Sequence, residues 1–334
     1  MDCFFAYLSI YLSCPLACYI ILHVSYKLTL PQFLALLYAD IFEYPLSKSE
    51  ICKFQIANPP AGRAGYKLKI KSKIQTSNSY YGYNNGYYYL KARQKLINLR
   101  KQREKYSQEK MEIAERAGKW LKIIPSIRMV AVTGGVAVGN AKKNDDIDFL
   151  IVSAKGAIWT TRFLAIAMLE LLGKRRRRND KNYKNKVCLN MFMTENSLQI
   201  PKNEQDLFSA HEAAQVKILW SRGEVEKRWW KENEWINKYL QKFKDQSSNI
   251  KSNSKLKVQN INKFGIWILN LIYHLSFVTC NLSEVTLKQL QIAYMQNQRT
   301  KEIISDAYLR FHPDDAREWI LREYQKRLRK YGLE

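Results

Sequence analysis

The stretch VTGGVAVGNAKKNDDIDFLIV, Val132 to Val152, holds residues whose types and spacing suit chemistry. Asp146 and Asp148 alternate with apolar residues, so on a strand their carboxylates share one face, about 7 Å apart, while Ile147, Phe149 and Ile151 fill the other. Two carboxylates so close repel each other unless a cation lies between them. A hard-oxygen pair of this kind suits Mg²⁺ carrying a triphosphate. Upstream, Met129 to Thr133 reads as a short buried strand, and Gly134-Gly135 lets the chain turn tightly and bring its amides near a phosphate. Two common phosphate loops are excluded. The dinucleotide-binding pattern needs glycine where Val136 stands, and the P-loop needs lysine where Asn140 follows Gly139. The alternative for the acids is a polar Asn-Asp-Asp end capping a strand.

The combination of Gly134-Gly135, a spacer and Asp-Ile-Asp-Phe-Leu-Ile-Val resembles the nucleotidyltransferase superfamily of DNA polymerase β type, particularly its small minimal and antibiotic-modifying members. The resemblance covers Ile123 to about Thr194, and its two halves together are more specific than either alone. It implies a small mixed sheet with helices on one side, the glycine turn after the first strand and the acids on the second. It further implies that Gly134 and Gly135 bind the nucleotide, that Asp146 and Asp148 are catalytic metal ligands, and that Mg²⁺ is the cofactor. The substrate would be a nucleoside triphosphate, ATP being the expected one, and a nucleoside monophosphate would pass to an acceptor hydroxyl as pyrophosphate leaves. Two departures stand out. Gly135 replaces the usual serine of the turn. The third carboxylate of the superfamily is expected on the next strand, KVCLNMFMT, whose alternation puts Asn190 in the acid's place. An amide cannot take a proton as a general base, and Glu195, just past the strand, is one substitute. A second function therefore stays open: a degraded nucleotide-sensing regulator that binds nucleic acid or protein.

These residues need elements to position them. Pro31 to Phe42 has helical apolar spacing opened by proline, and Ser47-Lys48-Ser49-Glu50 fits a capping box at the start of a second helix running through Phe54. YKLKIKSKIQ reads as a third helix or a strand, and Asn85-Gly86 between tyrosine-rich runs signals a hairpin. Residues 28–90 thus look like a winged helix, either touching nucleic acid or serving as a packing module. Residues 91–120 read as a connector helix whose RKQREKYSQEK centre faces solvent. After the core at 121–200, residues 201–334 read as helical throughout, including DLFSAHEAAQVKILW and VTLKQLQIAYMQNQ, with KDQSSNIKSNSKLK as a linker. FHPDD reads as a turn and helix start, and the tryptophans of this region as packing residues. The fold class expected is α/β, with the core flanked by a winged helix and an all-helical carboxy-terminal domain. KRRRRNDKNYKNK reads as a solvated loop, or as a guide for a polyanionic acceptor such as RNA or DNA. His211-Glu212 lacks the second histidine of a zinc-protease helix and reads as packing.

In the 334-residue chain, 55 Lys+Arg against 30 Asp+Glu give a net charge of +25, a field that favours polyanions or a basic solvated surface. Its 6 cysteines lack Cys-x-x-Cys pairing, which argues for a reducing, cytoplasmic setting over a disulfide framework or zinc site. Cys3 to Tyr26 contains no Lys, Arg, Asp or Glu. Such a length could span ~30 Å of hydrocarbon, with the body in the cytoplasm because basic residues follow. Pro15, His23 and several serines and tyrosines make a buried extension the equal alternative, while a cleaved signal peptide fits poorly.

Overall fold

A computed structural model describes residues 27–57, 79–177, 180–241, 284–296, 303–311 and 316–333. The apolar stretch 3–26, YKLKIKSKIQ, the KDQSSNIKSNSKLK linker and the His312 to Asp315 turn lie outside the described residues. Among the described residues, no helix is long and apolar enough to cross a membrane.

The amino-terminal module follows the sequence closely. Helix α1 (Leu30–Asp40) has proline in its first turn and buries Phe33, Leu34 and Leu37. The short strand β1 (Leu46–Ser47) leads into α2 (Lys48–Lys53), where the Ser47 hydroxyl accepts from the Glu50 amide at 3.3 Å and the Glu50 carboxylate accepts from the Ser47 amide at 2.9 Å. Strands β2 (Tyr81–Asn84) and β3 (Tyr87–Leu90) form the expected hairpin, with Asn85 and Gly86 at φ of 49° and 86°. With β1 they make a three-stranded sheet in the order β1-β3-β2.

Helix α3 (Leu96–Leu121) corrects one expectation. Its polar centre is not simply solvent-facing, because Arg100, Arg103, Ser107 and Lys110 form a buried stripe along one side. Buried charge is tolerable when it is paired or hydrogen-bonded; the two arginines have carboxylate partners, and Lys110 donates to backbone carbonyls and an amide oxygen. Arg100 pairs with Glu50 at 2.9 Å and lies over the Tyr44 ring, while Arg103 pairs with Glu43 at 2.7 Å and donates to the Phe42 carbonyl at 3.0 Å. The helix is a polar splint between the amino-terminal module and the core.

The core is a six-stranded mixed sheet in the order β7-β4-β5-β6-β9-β8. Strand β4 (Ile127–Val132) pairs antiparallel with β5 (Ile147–Ser153), and β5 pairs parallel with β6 (Val187–Thr194) through the crossover helix α5 (Ile158–Leu171). The carboxy-terminal region is not all-helical. The stretch read as one amphipathic helix divides into α6 (Leu207–Ala214) and strand β7 (Lys217–Ser221), which pairs with β4. Strands β8 (Ile303–Ile304) and β9 (Tyr308–Arg310) extend the opposite edge through β6. Unpaired sheet edges expose backbone donors and acceptors, and short runs such as LysIleLeuTrpSer satisfy them at the cost of local helical pattern. Residues 201–334 therefore complete the core instead of standing beside it.

Helices cover both faces of this sheet, in place of the one-sided packing that the resemblance implies. Val130, Val132, Ile147, Phe149 and Ile151 pack with residues of α3 and α5, and with Leu287 of α8 (Glu284–Gln296). Met129, Ala131, Leu150 and Val152 pack instead in the cluster that includes α1, Ala210 and Ala213 of α6, Trp229 of α7 (Val225–Glu232), and Tyr324 of α9 (Arg317–Lys330). Trp229 and Trp235 are buried packing residues, and the Trp220 indole donates to the Gly118 carbonyl at 2.7 Å.

Candidate active site

Antiparallel pairing of β4 with β5 brings the glycine turn and the acids to one end of the sheet. The Thr133 amide donates to the Asp148 carbonyl at 3.0 Å, and Gly134 follows with φ of +64°. A Cβ placed on Gly134 would lie 3.1 Å from Asp148 Oδ2, so this position combines a left-handed backbone with close approach to a carboxylate. Gly135 makes neither demand: a Cβ there would meet the Ala141 backbone at an ordinary 3.6 Å. The chain forms the four-residue helix α4 (Gly134–Ala137) and runs through Asn140 to the acids.

Buried polar groups of α3 hold that connecting segment. The Ser107 hydroxyl accepts from the Ala141 amide at 2.9 Å, and Lys110 Nζ donates to the Asp145 carbonyl and to Asn185 Oδ1, each at 2.7 Å. Lys110 thus clamps the entry to β5 against the entry to β6. From the other side, Asn140 donates to the Phe42 carbonyl at 3.0 Å and the Tyr44 hydroxyl reaches the Val138 carbonyl.

Asp146 and Asp148 share one face, as their alternation requires. Their nearest third donor is Cys188, and a ligand atom from each of the three lies within 4.8 Å of the others. Asn190 does not stand beside the acids. Asp148 is in register with Cys188 and Phe149 with Leu189, but Leu150 faces Met191, so Asn190 falls in a bulge. Its backbone carbonyl accepts from the Phe311 amide at 2.9 Å, and its side-chain oxygen is buried without a partner among the described residues. Glu195 is no substitute either, since it follows the end of β6 opposite to Cys188, pairs with Arg128 at 3.3 Å and accepts from the Lys155 amide.

Both acids are partly buried. Burial, followed by the charge of Asp146, pushes the Asp148 carboxyl up to about 7, opposed by Arg176 and by a hydrogen bond from the Cys188 thiol. Burial also pushes that thiol well above its ordinary value. Arg176, in the basic run after α5, forms an ion pair with Asp146 and lies 4.8 Å from the Tyr183 ring centroid. The run is thus not merely solvated: Arg175 and Arg177 both pair with Glu170, and Lys186 with Asp180. Two carboxylates fit a hard divalent cation, while Cys188 contributes a softer donor than the oxygen such an ion prefers.

A cavity of about 110 Å³ opens beside the turn, with Gly134 and Gly135 on one wall, Tyr38, Phe42 and Tyr44 opposite, and Glu212 from α6. His211 is indeed a packing residue. It is buried and stacked on Tyr38 with centroids 4.0 Å apart, and burial drops its imidazole to about 3, so it is neutral. Glu212 is the residue that the sequence reading passed over. Its carboxyl has no hydrogen-bonding or ionic partner among the described residues, and burial pushes it up to about 7. Little in the sequence marked it, because Ser209 and Gln215 at helical spacing make Glu212 look like part of an ordinary polar face. Cys188 lies where the alternation of its strand puts it, in register with Asp148, whereas Arg176 carried no signal because a crossover loop brings it to the acids.

No family model matches the chain, and no curated protein or solved structure matches it.

Proposed function

We propose that the chain is a nucleotidyltransferase that uses Mg²⁺-bound nucleoside triphosphate, ATP in the first instance, and passes the nucleoside monophosphate to an acceptor hydroxyl. The observation that carries this reading is the meeting of Gly134 with Asp148, where the backbone is left-handed and a Cβ would stand 3.1 Å from the carboxylate. A tight, side-chain-free turn against two carboxylates is what a triphosphate and its cation need together. In this reading Asp146 and Asp148 hold the metal, Gly134 and Gly135 line the phosphates, and Lys110 and Ser107 fix the segment between them. Bound Mg²⁺ would neutralise phosphate charge and polarise the α-phosphorus. Arg176 balances the acid pair in the absence of that cation and sits where it can turn to a phosphate. The β1-β3-β2 hairpin module fits a winged helix, whose expected third helix falls in residues outside the described ones.

The rival, a nucleotide-sensing regulator without catalysis, is favoured by Cys188 at the position in register with Asp148, where a third carboxylate would serve. Binding separates the site from its absence. Asp146→Asn and Asp148→Asn should each weaken Mg²⁺-ATP binding by about tenfold or more in equilibrium titration, ~1.4 kcal/mol of lost charge interaction. Equal affinity in all three proteins would remove both readings.

A further inference from the structure

The superfamily's third carboxylate is missing from β6, yet a carboxylate reaches the same face of the sheet by another route. Asp148 lies on the face it shares with Leu150 and Val152, and those two side chains pack in one cluster with Ala210, Ala213 and Ala214 of α6. Glu212 is on that helix, lines the cavity whose other wall is Gly134 and Gly135, and has no partner among the described residues. Its charge is felt at Asp148. We propose that Glu212 is the general base of the site and that the cavity between it and the Gly134-Gly135 turn admits the acceptor hydroxyl.

This inference rests on the nucleotidyltransferase reading. In the step it describes, the acceptor oxygen bonds to the α-phosphorus as the bond to the pyrophosphate oxygen breaks. Pyrophosphate leaves with that electron pair, and the hydroxyl proton passes to the Glu212 carboxylate and then to water. A base works best when its proton affinity is poised near the working pH. The groups that face Glu212 leave it that role. Tyr38 and Tyr44, from α1 and the segment after it, are both raised by burial and stay neutral, and His211 beside it is lowered and neutral. Gln215 and Asn140 line the same cavity and do not titrate. Behind that lining stand the Arg100–Glu50 pair at Tyr44 and Arg103 at Phe42 and Asn140, and Asp148 lies beyond the Gly134 turn. The position of Glu212 on α6 fixes it with respect to the sheet.

The test uses the full-length chain with Mg²⁺-ATP, with water and a short oligoribonucleotide as the hydroxyl probes, and follows pyrophosphate release. Glu212→Gln is nearly isosteric and breaks no ion pair, and its melting temperature controls for folding. The expected result is a loss of kcat of about 10²-fold or more, unchanged Mg²⁺-ATP affinity, a changed acidic limb of the pH-rate profile, and partial recovery in Glu212→Asp. Release that depends on Asp146 and Asp148 but is unaltered in rate and pH profile by Glu212→Gln would overturn the inference and leave the transferase reading standing. No Asp-dependent release with either probe would overturn both. If Glu212→Gln weakens Mg²⁺-ATP binding in step with the rate, Glu212 belongs to nucleotide binding and is not the base.

Discussion

Arg176 forms an ion pair with Asp146, and in the proposed site it supplies the charge that a bound cation would supply. Like charges so close to Asp148 need such compensation, and a guanidinium supplies it without leaving an unpaired buried acid. Arg176→Ala should therefore tighten Mn²⁺ binding to the nucleotide-free protein, roughly tenfold for a competing charge worth ~1.4 kcal/mol, as read by electron paramagnetic resonance of free Mn²⁺. Unchanged or weaker Mn²⁺ binding would mean that the arginine does not compete for the acids. Glu212 makes a second residue-scale prediction, independent of any catalytic role. Its folded-state pKa, raised to about 7, lies above the ~4.3 of an unfolded glutamate. The folded chain thus holds this proton more tightly, and the stability so contributed is lost as pH rises from about 4 through 7. Glu212→Gln should match the wild type at pH 4.5 and be more stable by about 1–2 kcal/mol at pH 8, measured by urea unfolding. A variant that is less stable at pH 8 would show that the carboxylate has a partner when ionised.

Elements decide how those residues meet, and here sequence and structure part in an instructive way. The alternation in Asp-Ile-Asp-Phe-Leu-Ile-Val was legible because one face of β5 must be apolar, and the Asn85-Gly86 hairpin because both turn residues need positive φ. The bulge in β6 was not legible. KVCLNMFMT has apolar residues on both sides of any alternation, so nothing in it records that the register slips at Asn190 and takes that residue out of step with Cys188 and Asp148. Nor did α3 show its buried stripe, since Arg100, Arg103 and Lys110 look like solvated residues until their partners arrive from distant segments. The two turn glycines separate cleanly. Gly134→Ala forces a left-handed non-glycine residue against Asp148 and should cost about 1–3 kcal/mol in denaturant unfolding. Gly135→Ser, with ordinary space around its Cβ, should fold as the wild type does. Lys110→Met leaves the carbonyls of Lys143 and Asp145 without their donor. It should cost about 2–3 kcal/mol and loosen the acids' placement, seen as faster amide exchange at Asp145 to Ile147 together with weaker Mg²⁺-ATP binding. A loss of stability with neither change would make Lys110 a folding residue alone.

At the scale of the whole molecule, the amino-terminal and carboxy-terminal regions meet around the core. Asp40, at the end of α1, is buried and accepts from both Arg93 at 3.0 Å and Arg327 of α9 at 3.1 Å, so residues far apart in sequence lock on one carboxylate. Asp40→Ala removes the acceptor shared by Arg93 and Arg327, of which Arg327 keeps Glu323, and should cost about 1–2 kcal/mol, read as a lower denaturation midpoint with an unchanged slope. Strands from the carboxy-terminal region close both edges of the sheet, which is why domain boundaries read from pattern alone placed them outside the core. The net charge of +25 suits a polyanionic substrate or acceptor. The central claim is that Gly134-Gly135 and the Asp146/Asp148 pair transfer a nucleotide. It is tested most directly by incubating the full-length chain with α-labelled ATP and Mg²⁺ beside its Asp146→Asn/Asp148→Asn variant, and measuring pyrophosphate together with the labelled product. The expected result is pyrophosphate release and labelled nucleoside monophosphate, free or on an acceptor, in the wild type alone. Tight, Asp-dependent ATP binding with no pyrophosphate from either protein would contradict it and make the chain a nucleotide sensor.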